Sequence, residues 1–249
     1  MTSLTRADPV CGSWQGGSML IEAEHITHTY GEGPIARTVL HDITVSLAES
    51  RIGVIGHNGS GKSTFVRMLN GLILPTKGRM VVDGMDTAKD AKKIRAKTGF
   101  LFTDPDNQII MPTVAEDVAF GLRKSGLSKA EIDAKVQELL DRFSLAGHRE
   151  HPAHLLSGGQ KQLLALASVL ITEPSLIIMD EPTTLLDLRN AAIIGDIINT
   201  LDQTVVLATH HLHLLDRFDR VLVFHHGQLV ADDRPEAAVA HYRGLMGED

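Results

Sequence analysis

Gly56-His57-Asn58-Gly59-Ser60-Gly61-Lys62-Ser63 reads G-x-x-x-x-G-K-S, a phosphate-binding loop. The spacing has a physical cause. Glycines let the backbone curl until several N–H groups point into one anion-sized hollow, and a helix N-terminus adds its dipole. Lys62 then reaches the β- and γ-phosphates of a nucleotide, and Ser63 can ligate Mg²⁺. The context agrees. Arg51-Ile52-Gly53-Val54-Ile55 reads as a short buried strand, and Thr64 to Leu69 as the helix after the loop. Such a loop needs a strand–loop–helix unit around it, so it points to an α/β fold. Chance matches to the pattern occur, and the rest of the chain decides the matter.

The chain has 249 residues, enough to bury a full core in one large domain or a domain with a subdomain. The net charge of −7 gives no electrostatic footprint for nucleic acid. Cys11 is the single cysteine, which excludes an internal disulfide framework and fits a reducing compartment. No apolar run approaches the roughly 18 residues that span a bilayer, so a membrane role has to come through a partner. Residues 1–17 lack a continuous apolar core, and no secretory signal is expected. Residues 1–18 are expected to form a loose tail, in which Cys11 and Trp14 could also pack locally. Residues 19–249 are expected to form the domain. The 13 histidines include His148, His151, His154, His210, His211, His213, His225 and His226, yet none sits in a zinc-site spacing. They are expected to serve as surface or supporting residues.

Along the chain, Leu20 to Tyr30 and Val39 to Leu47 alternate as antiparallel strands do. Leu74 to Gly78 reads as a turn, and Arg79 to Gly84 as a short strand ending in another turn. Gly99 to Phe102 is a buried strand leading into a polar loop. Ser128-Lys129-Ala130-Glu131 is a capping box that opens a helix, with Ile132, Val136, Leu139, Leu140 and Phe143 at helical spacing. Leu176 to Met179 and Val205 to Ala208 are short apolar runs, as parallel strands buried on both faces show. Residues 221–230 read as a closing hairpin. The expected architecture is therefore α/β, with an antiparallel β subdomain and a helical insertion at about residues 105–170.

A second glycine-rich segment, Leu156-Ser157-Gly158-Gly159-Gln160, precedes a helix predicted to begin near Lys161. Bare N–H groups and a hydroxyl at a helix N-terminus bind anions. One nucleotide needs one phosphate cradle, so the economical reading is that this segment completes the site of another subunit. The plainer reading is a glycine-rich helix cap. Leu176-Ile177-Ile178-Met179-Asp180-Glu181 is an apolar strand ending in paired carboxylates. Asp180 is placed to hold Mg²⁺ through water, and Glu181 to orient or deprotonate an attacking water. Ala208-Thr209-His210 comes after the next strand, where a histidine can steady charge on the γ-phosphate. Acidic pairs end many strands and a lone histidine is seldom catalytic, but the order and spacing of all these pieces make coincidence improbable.

Residues 20 to 235 resemble the nucleotide-binding subunit of ABC transporters. Gly56, Asn58, Gly59, Ser60, Gly61, Lys62, Ser63 and Thr64 match Walker A and its helix, and Leu176 to Asp180 match Walker B. Ser157, Gly158, Gly159 and Gln160 match the LSGGQ signature. Glu181 matches the catalytic glutamate, Asp187 the D-loop aspartate and His210 the switch histidine. Tyr30 matches the aromatic that stacks on adenine; a core tyrosine is the lesser alternative. The resemblance implies a P-loop ABC ATPase core using ATP and Mg²⁺. It also implies a head-to-tail dimer with two ATP molecules held between Walker A of one subunit and the signature of the other, peripheral on the cytoplasmic membrane face. One position departs from the pattern. The family's glutamine after a strand like Gly99 to Phe102 is Thr103 here, whose shorter hydroxyl reaches Mg²⁺ only through water. Weakened or partner-dependent hydrolysis is expected from it. His211 replaces a common aspartate and is given no role.

Pro105-Asp106-Asn107-Gln108-Ile109-Ile110 and Pro112 to Gly121 are more specific. They resemble the ATPase of energy-coupling factor importers, which take up vitamins, cobalt or nickel. In that group residues equivalent to 103–121 face the transmembrane T component, and a separate membrane S component binds the cargo. Thr183 to Asn190 is most similar to the biotin-system ATPase. A cobalt or nickel importer and a conventional binding-protein-dependent importer are the alternatives. The resemblance implies a homodimer or a pairing with a paralogous ATPase, and no nucleic-acid partner. A DNA-end ATPase would need a long coiled-coil insertion, and a ribosome-bound factor two tandem cassettes; neither is present.

Overall fold

A computed structural model describes residues 19–247, so the expectations for the first 18 residues, including Cys11 and Trp14, lie outside the described residues. The alternating segments build one sheet. Strands β1 (Ile21–Tyr30) and β2 (Arg37–Leu47) pair antiparallel, from Ile21 opposite Leu47 to Tyr30 opposite Arg37. The continuous apolar runs build the other. Strand β3 (Arg51–Gly56) leads into helix α1 (Lys62–Met68). Strands β4 (Lys77–Val82) and β5 (Met85–Asp86) return to the first sheet, giving the order β2-β1-β4-β5. Helix α2 (Ala91–Lys97) and strand β6 (Thr98–Leu101) come next. The chain then leaves the sheets for three helices, α3 (Val114–Phe120), α4 (Lys129–Arg142) and α5 (Gly158–Leu170). Strand β7 (Leu176–Asp180), helix α6 (Leu188–Asn199), strand β8 (Thr204–Ala208), the hairpin β9 (Arg220–His225) and β10 (Gln228–Asp233), and helix α7 (Pro235–Met246) complete the chain. The second sheet has the order β10-β9-β3-β8-β7-β6, parallel except for the β9–β10 hairpin.

Burial on both faces explains the apolar runs. Leu176 and Ile178 of β7, and Val206 and Ala208 of β8, point into a core shared with the antiparallel sheet and α1. Ile177, Met179, Val205 and Leu207 point the other way, into a core shared with α3 to α6. Side chains alternate along a strand, so every residue of β7 faces one core or the other. Each fully buried aliphatic side chain contributes roughly 1.5–3 kcal/mol. The four in β7 offset the cost of carrying Asp180, also fully buried, at the strand's end.

Several boundaries differ from the sequence reading by a few residues, and two of them turn on glycine. Strand β4 starts at Lys77, inside the run read as a turn. Gly78 takes a φ of 83°, and a Cβ there would lie 2.2 Å from the His25 carbonyl oxygen. Glycine here allows a close strand crossing at a register shift of β1 rather than ending a strand. Helix α5 starts at Gly158 rather than near Lys161. Ser157 caps it: its side chain accepts from the Gln160 N–H at 3.3 Å, and the Gln160 side chain accepts from the Ser157 N–H at 2.9 Å. Two orphan donors are thereby satisfied, which outweighs the helix cost of Gly158 and Gly159, roughly 1 kcal/mol each.

Candidate functional site

The phosphate loop leaves β3 at Gly56, whose φ of 150° no side chain would tolerate: a Cβ there would lie 2.2 Å from the Phe224 carbonyl oxygen. Gly59 and Gly61 also have positive φ, 80° and 105°. The loop curls as the glycine spacing requires and lines a cavity of about 230 Å³ with Arg37, Val39, Asn58 to Thr64, and Glu181. The Ser60 hydroxyl is fully buried against Gly56 and has no hydrogen-bond partner in the protein. Lys62 is buried and donates to the carbonyls of Gly56 at 2.6 Å and His57 at 3.2 Å. Burial lowers the pKa of its ammonium, and the nearby Glu181 and Asp180 carboxylates oppose that shift.

Behind the loop, Ser63 and Arg67 converge on one carboxylate. The Ser63 hydroxyl donates to Asp180 Oδ1 at 2.7 Å, and Arg67 donates to Oδ2 through Nε at 3.1 Å and Nη2 at 2.8 Å. They stand four residues apart on α1, hence on the same face. A serine hydroxyl and a carboxylate are the hard oxygen donors that Mg²⁺ prefers, so this pair fits the ion. Thr103 donates its hydroxyl to the Asp180 main-chain carbonyl at 2.7 Å. Gln108 is committed elsewhere: its side chain accepts from the Phe102 N–H at 3.3 Å and lies 3.4 Å from the Ala165 carbonyl.

Glu181 has a φ of 54°, a left-handed conformation that costs a non-glycine residue roughly 1–3 kcal/mol. The strain turns the carboxylate out of β7 and into the cleft. Its Oε2 accepts from His210 Nδ1 at 2.7 Å, the His210 N–H at 3.3 Å and the Thr184 hydroxyl at 3.1 Å. Its Oε1 lies 3.7 Å from Lys62 Nζ. His210, at the end of β8, thus holds the carboxylate beside the phosphate loop. Neighbouring His211 bonds to the Thr183 hydroxyl at 2.8 Å through Nδ1. Burial, with His210 and His213 nearby, lowers its pKa, and the Glu181 carboxylate opposes that shift.

Tyr30 is half exposed at the end of β1, and its hydroxyl lies 3.3 Å from that of Thr64. It is an edge residue facing the loop rather than a core tyrosine. Ser157, Gly158, Gly159 and Gln160 stay apart: none lines the phosphate cavity of its own chain. Gly159 instead packs on α6, where a Cβ would lie 2.5 Å from the Asn190 side chain. Asp187 caps α6 by accepting from the Asn190 N–H at 2.8 Å. The structure also brings in residues to which the sequence reading gives no role. Arg67 carries a legible signal in its i, i+4 relation to Ser63. Arg37 and Val39 carry none, because only the packing of β2 beside the loop places them there.

Known proteins resemble the chain in sequence and in fold. The family model described as "ABC transporter" matches residues 40–184. The chain is 50% identical over 210 residues to "Biotin transport ATP-binding protein BioM" of Rhizobium etli, covering 84% of this chain and 93% of that one. It is 40% identical over 228 residues to "Energy-coupling factor transporter ATP-binding protein EcfA1" of Caldanaerobacter subterraneus subsp. tengcongensis, covering 88% and 82%. Among solved structures, a dimeric ATP-binding cassette in a post-hydrolysis state, bound to ADP and Pi, superposes with a TM-score of 0.79. That structure is 27% identical, and the match covers 86% of this chain and 98% of that one. With its phosphate loop, strained glutamate and histidine assembled in one cleft, the chain belongs to the ABC transporter family as an ATP-binding, ATP-hydrolysing subunit.

Proposed function

We propose that the chain is the ATPase of an energy-coupling factor importer and that its cargo is biotin. The observation that carries the catalytic part is the placement of Glu181, strained into the cleft between Lys62 and His210. In this reading the N–H groups of the loop and Lys62 bind the phosphates, with Lys62 leaving its two carbonyl partners to do so. Ser63 and Asp180 would hold Mg²⁺, with Thr103 contributing through water; bound there, the ion would neutralise phosphate charge. Glu181 accepts a proton from the attacking water, and His210 keeps that carboxylate oriented. Tyr30 stacks on adenine. Ser157, Gly158, Gly159 and Gln160, with Asp187, complete the site of a second subunit across a head-to-tail dimer. The exposed Leu155, Leu185 and Leu188 on this face would be covered by that contact. Residues 103–121, including exposed Ile110 and Phe120, would receive the T component, with the S component carrying the cargo. Among the described residues no helix is long and apolar enough to cross a membrane, so the membrane subunits supply the anchorage.

The cargo is tested by uptake of labelled biotin in cells that lack their own importer, supplied with this chain and the T and S components recovered with it from native membranes. Biotin uptake that requires this chain supports the reading. Uptake of cobalt or nickel instead, or a requirement for a separate extracytoplasmic binding protein, would overturn it.

Tyr30→Ala should weaken ATP binding at least about fivefold, because stacking on a base is worth roughly 1–3 kcal/mol, while Tyr30→Phe keeps the affinity. Titration with a fluorescent ATP analogue reads this, and equal affinity for all three proteins would remove Tyr30 from the site. Thr103→Gln should raise the basal ATPase rate of the purified chain, since a longer amide reaches the metal corner directly. An unchanged rate would show that Thr103 does not limit hydrolysis.

A further inference from the structure

Strands β3 and β9 run parallel with Gly56 opposite Phe224, so the next residue of each, His57 and His225, emerge side by side. The β9–β10 hairpin closes in two residues, His226 and Gly227, both with positive φ, 48° and 77°. Such a turn reverses the chain tightly and brings His226 back against the same spot. The three imidazoles meet edge to face: the centroids of His57 lie 5.3 Å from His225 and 5.1 Å from His226, and those of His225 and His226 are 4.1 Å apart. One ring nitrogen from each lies within 4.8 Å of the other two.

We infer that His57, His225 and His226 form a binding site for a divalent transition-metal ion of borderline softness, Zn²⁺ above all. Two details support a ligand site over a mere contact of ring edges. The Nδ1 of His57 donates to the Asn58 carbonyl at 2.7 Å, which fixes the tautomer and leaves Nε2 with a free lone pair. The buried Nδ1 of His225 has no hydrogen-bond partner. Zn–N bonds of about 2.0–2.1 Å need donor atoms roughly 3.3 Å apart in a tetrahedron, so the rings must close in. His226 is exposed, so its ring has room to move toward the other two, and water would take the fourth position. Three neutral nitrogen donors suit zinc, copper or nickel and not Mg²⁺ or Ca²⁺, so this site is distinct from the oxygen corner at Ser63 and Asp180.

The position gives the ion leverage. The Gly227 N–H already donates to the Ser60 carbonyl at 3.1 Å, tying the hairpin to the phosphate loop. An ion across His57 and the hairpin adds a second tie, and the His57 carbonyl is one of the two that hold Lys62. Metal binding would therefore stiffen the phosphate loop in the conformation seen here.

The test uses the full untagged chain, stripped with chelator and without nucleotide, titrated with Zn²⁺ against a chromophoric chelator and with Co²⁺ by visible absorption. Hydrogen exchange is followed in the same samples. The native chain should bind one ion at least about tenfold more tightly than His225→Gln/His226→Gln, with visible cobalt bands that the variant lacks. Exchange in residues 57–61 and 226–228 should slow on metal addition in the native chain only. Equal affinity in the two proteins would overturn the site, and binding without slower exchange would overturn the coupling to the loop. Both readouts are independent of ATP hydrolysis, so they stand or fall apart from the importer reading.

Discussion

Glu181→Gln should lower the rate of ATP hydrolysis by about 10²–10⁴-fold while leaving ATP binding intact. The geometry separates the two effects. The amide keeps the size of the carboxylate, so the left-handed turn at residue 181 and the contacts to Thr184 and the His210 N–H can persist. It cannot accept a proton from water, and it no longer faces Lys62 with a negative charge. Lys62 then retains Asp180 as its nearby anion and becomes more available to the phosphates. A subunit that binds ATP and cannot hydrolyse it should accumulate in the closed pair. Light scattering with Mg²⁺-ATP should give twice the mass seen without nucleotide. Hydrolysis at the native rate would remove Glu181 from the mechanism, and a variant that stays monomeric with ATP would count against the head-to-tail dimer.

Arg67→Met should destabilise the nucleotide-free chain by about 3 kcal/mol, the low end of the cost when a buried charge loses its partner, because Arg67 itself is 38% exposed and solvent screens part of the pair. Asp180 has no solvent exposure, and Arg67 gives it both guanidinium contacts. Ser63 remains as a donor and Lys62 as a nearby cation, which holds the effect at that lower bound. For a chain of this size the loss corresponds to a Tm about 6–12 °C lower. Mg²⁺-ATP should restore much of it, because a cation at Asp180 replaces the missing charge and ligand binding stabilises the folded state. Arg67→Lys should fall between, since an ammonium offers the charge without the planar pair of donors. Thermal denaturation with and without Mg²⁺-ATP reads all three. A Tm within about a degree of the native value would mean that Asp180 does not depend on Arg67.

Much of the catalytic cleft is legible in the sequence because its parts are local. A loop of fixed glycine spacing, an apolar strand ending in two carboxylates and a histidine after the next strand each declare themselves within a few residues. The capping box at Ser128 and Glu131 is readable for the same reason, and the structure starts α4 there. The signature segment also declares a helix cap, but its glycines push the expected helix start too far along the chain. Glycine is a poor helix former, and the Ser157–Gln160 exchange that outweighs it shows only once both side chains are placed. Helices α3, α6 and α7 carry local start signals that the sequence reading does not use as such: the Thr113–Glu116 capping box, the Asp187 cap and Pro235 in the first turn. Helix α2 is seven residues long, too short for a clear periodicity.

The sequence by itself determined the strand–loop–helix unit, the two-sided burial of the central strands and the identities of Lys62, Ser63, Asp180, Glu181 and His210. These rest on backbone conformation and side-chain alternation, which act over a few residues. Only the tertiary structure decided that Arg67 shares Asp180 with Ser63, that Glu181 is twisted toward Lys62 and His210, and that Arg37 and Val39 wall the cleft. It alone also gathered His57 with the adjacent His225 and His226, which stand far from it in the chain and at no metal-site spacing. Their meeting comes from the register of β3 against β9, and register between strands distant in sequence is set by how the whole core packs.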